Sequence, residues 1–271
     1  MPLHLEYLLA SRQGLFRVSR AGARLLRPGK FFGIVLHQGA VFAFRTCADI
    51  NGEDTERSGC IVRFDWRDDG ELGEPQVLVD GLDYNCHQID FFDGAFFVID
   101  TLHQCVREYD PDWRPVARHQ ILPEAVRNGP DHAHINSIAG DAQTVRLLLH
   151  NGHRGRPSEI VEYDRAFRER SRRTLPCEGC HDIVPLEDGR ILTCLSPRGE
   201  IMLDDGRTVA INEYWTRGLA VTRHEIAVGS SFFGVRIARA ILPGFVTFLD
   251  RDFRELKRIY VPAAPTQLRA L

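Results

Sequence analysis

With 271 residues, 44% hydrophobic and 26% charged, the chain is long enough to bury a substantial core and has the balance of an ordinary globule. Its formal net charge of −3 excludes the overall basic balance of a nucleic-acid binder, and no run approaches the roughly 18 apolar residues of a membrane span. The opening MPLHLEYLLAS lacks the basic and apolar regions of a secretion signal and the seven cysteines are an odd number, so a reducing cytoplasm is expected.

In chain order, EYLLAS, GLFRVS and ARLLRP read as three short strands. A repeating unit follows: a small or polar residue, an Ile or Leu strand, a tight turn and a second apolar strand. It opens at Phe32 (FGIVLHQGAVFAF), His87 (HQIDFFDGAFFVI), His134 (HINSIAGDAQTVRLLL), His181 (HDIVPLEDGRILTC) and Arg217 (RGLAVTRHEIAVG). A sixth opening, TQLRAL at Thr266, stops at the chain end. The spacings are 55, 47, 47, 36 and 49 residues, and third strands such as CVREYD, SEIVEYD, EIMLDD and GFVTFLD follow the pairs. No stretch sustains helical periodicity, although ILPEAVRNG suits one short turn of helix.

Four-strand repeats of roughly 45 residues predict an all-β chain, a six-bladed β-propeller over residues 1–271 as one domain. Its last blade joins the N-terminal strands to TQLRAL as inner strand, which removes exposed sheet edges. A five-bladed ring or a β-sandwich with additions is the alternative.

In such a ring the innermost strand of each blade runs along the central channel. The six channel-mouth positions are then Phe32, His87, His134, His181, Arg217 and Thr266. Two residues further on, Ile34, Ile89, Asn136, Ile183, Leu219 and Leu268 are expected to plug the channel. Three imidazoles converging from adjacent blades would lack partners if dry, and a divalent metal satisfies all three lone pairs. His87, His134 and His181 are therefore the expected ligands of one metal, zinc first, iron or copper as alternatives. Arg217, which has no lone pair to coordinate with, is expected to grip an anionic group of the substrate. The loops around the mouth contribute Tyr84, Asn85, His103, His150, Asn151, His153, Tyr214 and Trp215, along with the long segments TCADINGEDTERSG and SSFFGVRIARAILPG. CEGC, at Cys177 to Cys180, has redox or metal spacing but no second pair, and reads as two thiols beside the pocket.

CHQIDFFDGAFFVID and CHDIVPLEDGRIL resemble the inner-strand motifs of NHL-type and gluconolactonase-type propellers. Within that superfamily the three-histidine site is similar to that of the peptidyl-α-hydroxyglycine α-amidating lyases. That likeness implies His87, His134 and His181 as zinc ligands, Arg217 as the orienting arginine and Tyr84 or Tyr214 as the base. The segment DHAHINSIAG resembles, over one repeat, the H-x-N-S-I element of arylsulfate sulfotransferases, which implies histidine and arginine acting on sulfate without metal. The expectation is a metal-dependent hydrolase or lyase acting on a small oxygen-rich or anionic molecule, without nucleic-acid or membrane partners. The alternatives are an iron or copper oxidoreductase, a metal-free sulfotransferase-like enzyme and a non-enzymatic binding propeller.

Overall fold

The computed structural model describes residues 5–46, 58–126, 129–232 and 242–271. They form six four-stranded antiparallel sheets arranged as a six-bladed β-propeller, with two single-turn 3-10 segments and no α-helix among the described residues. Blade one holds β4 (Phe31–His37) to β7 (Gln76–Asp83), and blade two β8 (Ile89–Phe92) to β11 (Pro115–Gln120). Blade three holds β12 (Ile135–Gly140) to β15 (Glu169–Thr174), blade four β16 (His181–Pro185) to β19 (Thr208–Ala210), and blade five β20 (Trp215–Val221) to β23 (Glu255–Val261). Blade six is ordered β24-β1-β2-β3: the C-terminal strand β24 (Pro265–Ala270) pairs with β1 (Tyr7–Ser11), followed by β2 (Gly14–Ser19) and β3 (Gly22–Pro28). The closure is the expected one. Residues 121–126 form no helical turn, and 127–128 lie outside the described residues.

Alternation explains where the core sits. Tyr7 and Leu9 pack toward blade five, against Ala227 and Phe248, while Leu8 and Ala10 pack toward blade one, against Ile34 and Phe64. Phe96 and Val98 likewise face blade one and Phe97 and Ile99 face blade three. The second strands are thus buried on both faces, which is why they read as unbroken apolar runs. Six clusters result, each wedged between two neighbouring blades.

The expected second ring is corrected by this packing. Ile34, Ile89, Ile183, Leu219 and Leu268 all belong to wedges between blades rather than to the channel. At Ile34, Ile183 and Leu219 the cause is a register irregularity in the inner strand, between Phe31 and Ile34, His181 and Val184, and Thr216 and Leu219; blade three has another between Ile135 and Ser137. An extra residue re-aims the side chains that follow it. His134 (φ 54°) and Asp182 (φ 62°) take up left-handed backbone there, a conformation that costs non-glycine residues energy.

Polar residues fill the channel instead, with Gln88, Asn136, Ser137, Asp182 and Gln267 lining the narrow void below the mouth. Each clasps the next blade. The Gln88 amide donates to Ile138 O (3.0 Å) and accepts from Ile138 N–H (2.9 Å). Asn136 Nδ2 donates to Cys180 O, the Asp182 N–H to Ser137 Oγ, and the Gly218 N–H to Asp182 Oδ2 (2.8 Å). Gln267 Oε1 accepts from Ile34 N–H (2.6 Å), tying blade six to blade one. Buried amides and carboxylates survive here because their partners are fixed backbone groups.

Candidate functional site

Above that floor opens a cavity of about 230 Å³. All six expected mouth residues line it: Phe32, His87, His134, His181, Arg217 and Thr266. Asn85, His150, His153 and Trp215 join them, as do Arg12, Ser231, Ala264 and Pro265, which sequence reasoning missed. Imidazoles run around one wall, with ring centroids 4.6 Å apart for His87–His134, 4.9 Å for His134–His150 and 5.1 Å for His150–His181. Burial and the neighbouring histidines, His87 first, push His134 well below the usual imidazole pKa. Burial and the Arg217 guanidinium do the same to His181. Both shifts favour the neutral ring.

Hydrogen-bond partners fix the tautomers. Thr101 Oγ1 donates to Ile135 O (2.8 Å) and so receives at its lone pairs. His87 Nδ1 faces that oxygen at 3.0 Å and Asn85 O at 2.8 Å, so Nδ1 donates and His87 Nε2 holds the lone pair. His134 Nε2 lies 3.1 Å from His87 Nε2 and must be the donor. The lone pair of His134 is left on Nδ1, a buried atom with no hydrogen-bond partner. His132 Nε2 donates to Thr101 O (2.9 Å), which puts its lone pair on Nδ1 as well. One residue, Thr101, thus orders two imidazoles from behind, the arrangement that orients metal-binding histidines.

Among the described residues, the group whose ligand atoms all come within 4.8 Å of one another is His132, His134 and His153. This set shares only His134 with the expected His87, His134 and His181. The register argument counted one residue per inner strand. The pair His132 and His134 comes from a single approach to β12, and His153 from the 3-10 turn Gly152–Arg154 that follows β13 (Thr144–Leu149). The signal was present as H-x-H in DHAHIN, two histidines placed together just ahead of β12.

The remaining expected residues divide between cavity and rim. His150 Nδ1 accepts from Gly152 N–H (3.1 Å), which leaves its proton on Nε2. His181 Nδ1 meets Ser196 Oγ at 2.9 Å, and its ring lies 6.0 Å from that of Trp215. Tyr84, His103, Asn151 and Tyr214 do not line the cavity. His103 pairs with Asp100 (2.8 Å), and Asn151 is buried and donates to Pro157 O and Glu159 Oε2. Tyr214 stacks on Phe245 at 5.4 Å and sits against Phe232, its phenol pKa raised by a hydrogen bond to Glu213. Residues 47–57 and 233–241 of the two long segments lie outside the described residues. Cys177 and Cys180 stand 3.5 Å apart as free thiols, Gly179 between them packing near Trp215 and His150.

No family model and no curated protein matches the chain. Solved structures match its fold. A chain of a nidogen–laminin complex is 9% identical over 98% of both chains, with a TM-score of 0.69. The PQQ-bound aldose sugar dehydrogenase of Streptomyces coelicolor is 14% identical over 83% of this chain and 84% of its own, with a TM-score of 0.57. A streptogramin B lyase is 11% identical over 80% and 69%, with a TM-score of 0.51. At such identities the likeness is one of fold, and it agrees with the propeller resemblance of the inner-strand motifs. Propellers carry enzymes and binding proteins alike, so function must be argued from the cavity.

Proposed function

We propose that the chain is a metal-dependent enzyme of hydrolase or lyase type, acting on a small anionic molecule in the channel-mouth cavity. The observation that carries this reading is the unpartnered, buried Nδ1 of His134 beside His132 and His153. A neutral imidazole buried with an unsatisfied lone pair is costly, and a cation removes that cost. Three imidazoles fit zinc, iron(II) or copper and do not suit calcium, which takes oxygen ligands. His132, His134 and His153 would hold the ion, with His87 fixing the ring of His134 from behind. When bound, such a metal supplies a Lewis acid and lowers the pKa of coordinated water.

The protein's own groups supply the rest. Arg217 balances negative charge on the substrate, and the Nε2–H of His150 is a donor for one of its oxygens. His181 completes the imidazole wall beside His150. The expected tyrosine bases, Tyr84 and Tyr214, have no place in this scheme because neither lines the cavity.

Metal content of the purified protein tests the reading. Near one equivalent of a transition metal is expected, falling sharply in His134→Ala and unchanged in His224→Ala, whose exposed ring takes a hydrogen bond from Arg223. Protein purified without chelator and free of metal, or equal losses in both variants, would count against it. A metal-free result would favour the sulfotransferase-like alternative, in which arginine and histidine alone bind the anion.

A further inference from the structure

The motif CEGC takes no part in the chemistry of the cavity, yet its two sulfurs meet. Cys180 Sγ donates toward Cys177 O (3.4 Å) and lies 3.5 Å from Cys177 Sγ. Cys177 is half-buried, whereas Cys60, Cys86, Cys105, Cys180 and Cys194 are buried, so among the described cysteines Cys177 is the one that solvent reaches. A hydrogen bond from Cys180 lowers the pKa of the Cys177 thiol against the effect of burial; Arg198 acts in the same direction and Glu178 and Glu200 oppose it. Burial pushes the thiols of Cys86, Cys105 and Cys194 up instead. C-x-x-C spacing serves either metal binding or redox chemistry. Among the described residues no histidine, carboxylate or third cysteine joins this pair in a ligand group, so the geometry favours redox chemistry.

The loop that carries the pair is tied to the cavity wall. Gly179 N–H donates to His150 O (3.0 Å), and Ser158 Oγ donates to the same oxygen (2.7 Å) while it accepts from Cys180 N–H (3.0 Å). Ser158 N–H donates to Cys177 O (2.9 Å). Gly179 has φ 74°, and a Cβ there would meet the Trp215 ring at 3.2 Å and His150 Nε2 at 3.6 Å. The backbone between the two cysteines thus lies against two residues that line the cavity. A disulfide holds its sulfurs about 2 Å apart, so closure draws Cys177 and Cys180 together by about 1.5 Å, and the displacement falls on the loop that touches Trp215 and His150.

We propose that Cys177 and Cys180 form a reversible dithiol–disulfide site, closed by a small hydroperoxide, whose closure reshapes the adjoining cavity at Trp215 and His150. The Cys177 thiolate attacks one oxygen of the hydroperoxide: an S–O bond forms, the O–O bond breaks, and the departing oxygen takes a proton from solvent and leaves as water or an alcohol. The Cys180 sulfur then attacks the Cys177 sulfenic acid: the S–S bond forms, the S–O bond breaks, and hydroxide leaves with the Cys180 proton as water. Both sulfurs are oxidised and the peroxide is reduced; an added dithiol reverses the step by exchange and becomes a disulfide itself. The site stands independently of what the cavity binds.

Peptide mass analysis tests it. Trypsin cuts after arginine, and the peptide from Thr174 to Arg190 carries Cys177 and Cys180 and no other cysteine. After brief exposure of the native protein to hydrogen peroxide, that peptide should lose two hydrogens and resist alkylation, and dithiothreitol should restore both thiols. Its oxidation should run at least about tenfold faster than that of the buried Cys60, Cys86, Cys105 and Cys194. Cys180→Ser should stop at a sulfenic acid that dimedone traps, and Cys177→Ser should leave the peptide unoxidised. A wild-type peptide that stays reduced while other cysteines oxidise, or a Cys177 that pairs with Cys47, overturns the site, whether or not either variant folds. Tryptophan emission reports the link to the cavity: oxidation should shift it in wild type and should not in Trp215→Phe or Cys180→Ser. A disulfide formed with unchanged emission overturns that link.

Discussion

Leu268 and Leu271 offer a matched pair of perturbations at the ring closure. Leu268 is fully buried in the wedge between blades five and six, in one cluster with Tyr7, Leu9, Ala220 and Phe248. Leu271, three residues on, is 45% exposed. Cutting either side chain back to Ala removes the same atoms from the same stretch of chain, so differences in the unfolded state largely cancel. At Leu268 the loss combines transfer of the side chain with a cavity that β24, held between β1 and the channel clasps, cannot readily collapse; about 2–5 kcal/mol is expected. At Leu271 the change should stay within about 0.5 kcal/mol. For a domain of this size each kcal/mol moves the melting temperature by about 2–4 °C, so Leu268→Ala should melt about 4–20 °C lower and Leu271→Ala should hardly move. Differential scanning calorimetry reads both. Equal melting temperatures would mean that the C-terminal strand does not complete the sixth blade.

The channel clasps and the acid limb of stability give two further tests. Gln88→Leu strands the buried N–H and C=O of Ile138, each worth about 1–3 kcal/mol when unsatisfied, so the variant should lose several kcal/mol in denaturant melts; a neutral result would show that the clasp is not formed. His181 has its pKa lowered in the folded state by burial and Arg217, while the unfolded chain keeps about the ordinary value of 6.5. The unfolded state therefore binds the proton first, and metal-stripped protein should lose stability as the pH falls below about 6.5. Arg217→Gln removes part of the cause and should flatten that decline; a steeper one would contradict the assignment.

The six mouth positions were legible because a propeller ties every inner strand to one axis, so a recurring opening residue implies a shared place in space. The layer beneath was not legible. Apolar alternation assumes an unbroken pleat, and the bulges that turn Ile34, Ile183 and Leu219 away from the channel leave no mark in the apolar pattern. His134 and Asp182, two of the non-glycine residues with left-handed backbone, gave no warning either. Arg12 was beyond reach for a different reason. It arrives from the turn between β1 and β2, in the blade assembled from both chain ends, and meets Phe32 only once the ring is closed.

The same geometry gives the site residues their weight. Since the apolar core lies in six wedges between blades, the channel mouth contributes little to it, and small or polar residues would serve the fold there equally well. The imidazoles and guanidinium groups of the mouth repel one another when charged, depress the pKa values of His134 and His181, and leave the buried Nδ1 of His134 without a hydrogen-bond partner. Each of these costs stability, and nothing in the blade packing requires them. Strained backbone at His134 in the mouth, and at Asp182 in the layer beneath it, adds to that cost. On the function proposed above, a cation taking the lone pair of His134 and an oxyanion at Arg217 are the ligands that would offset it.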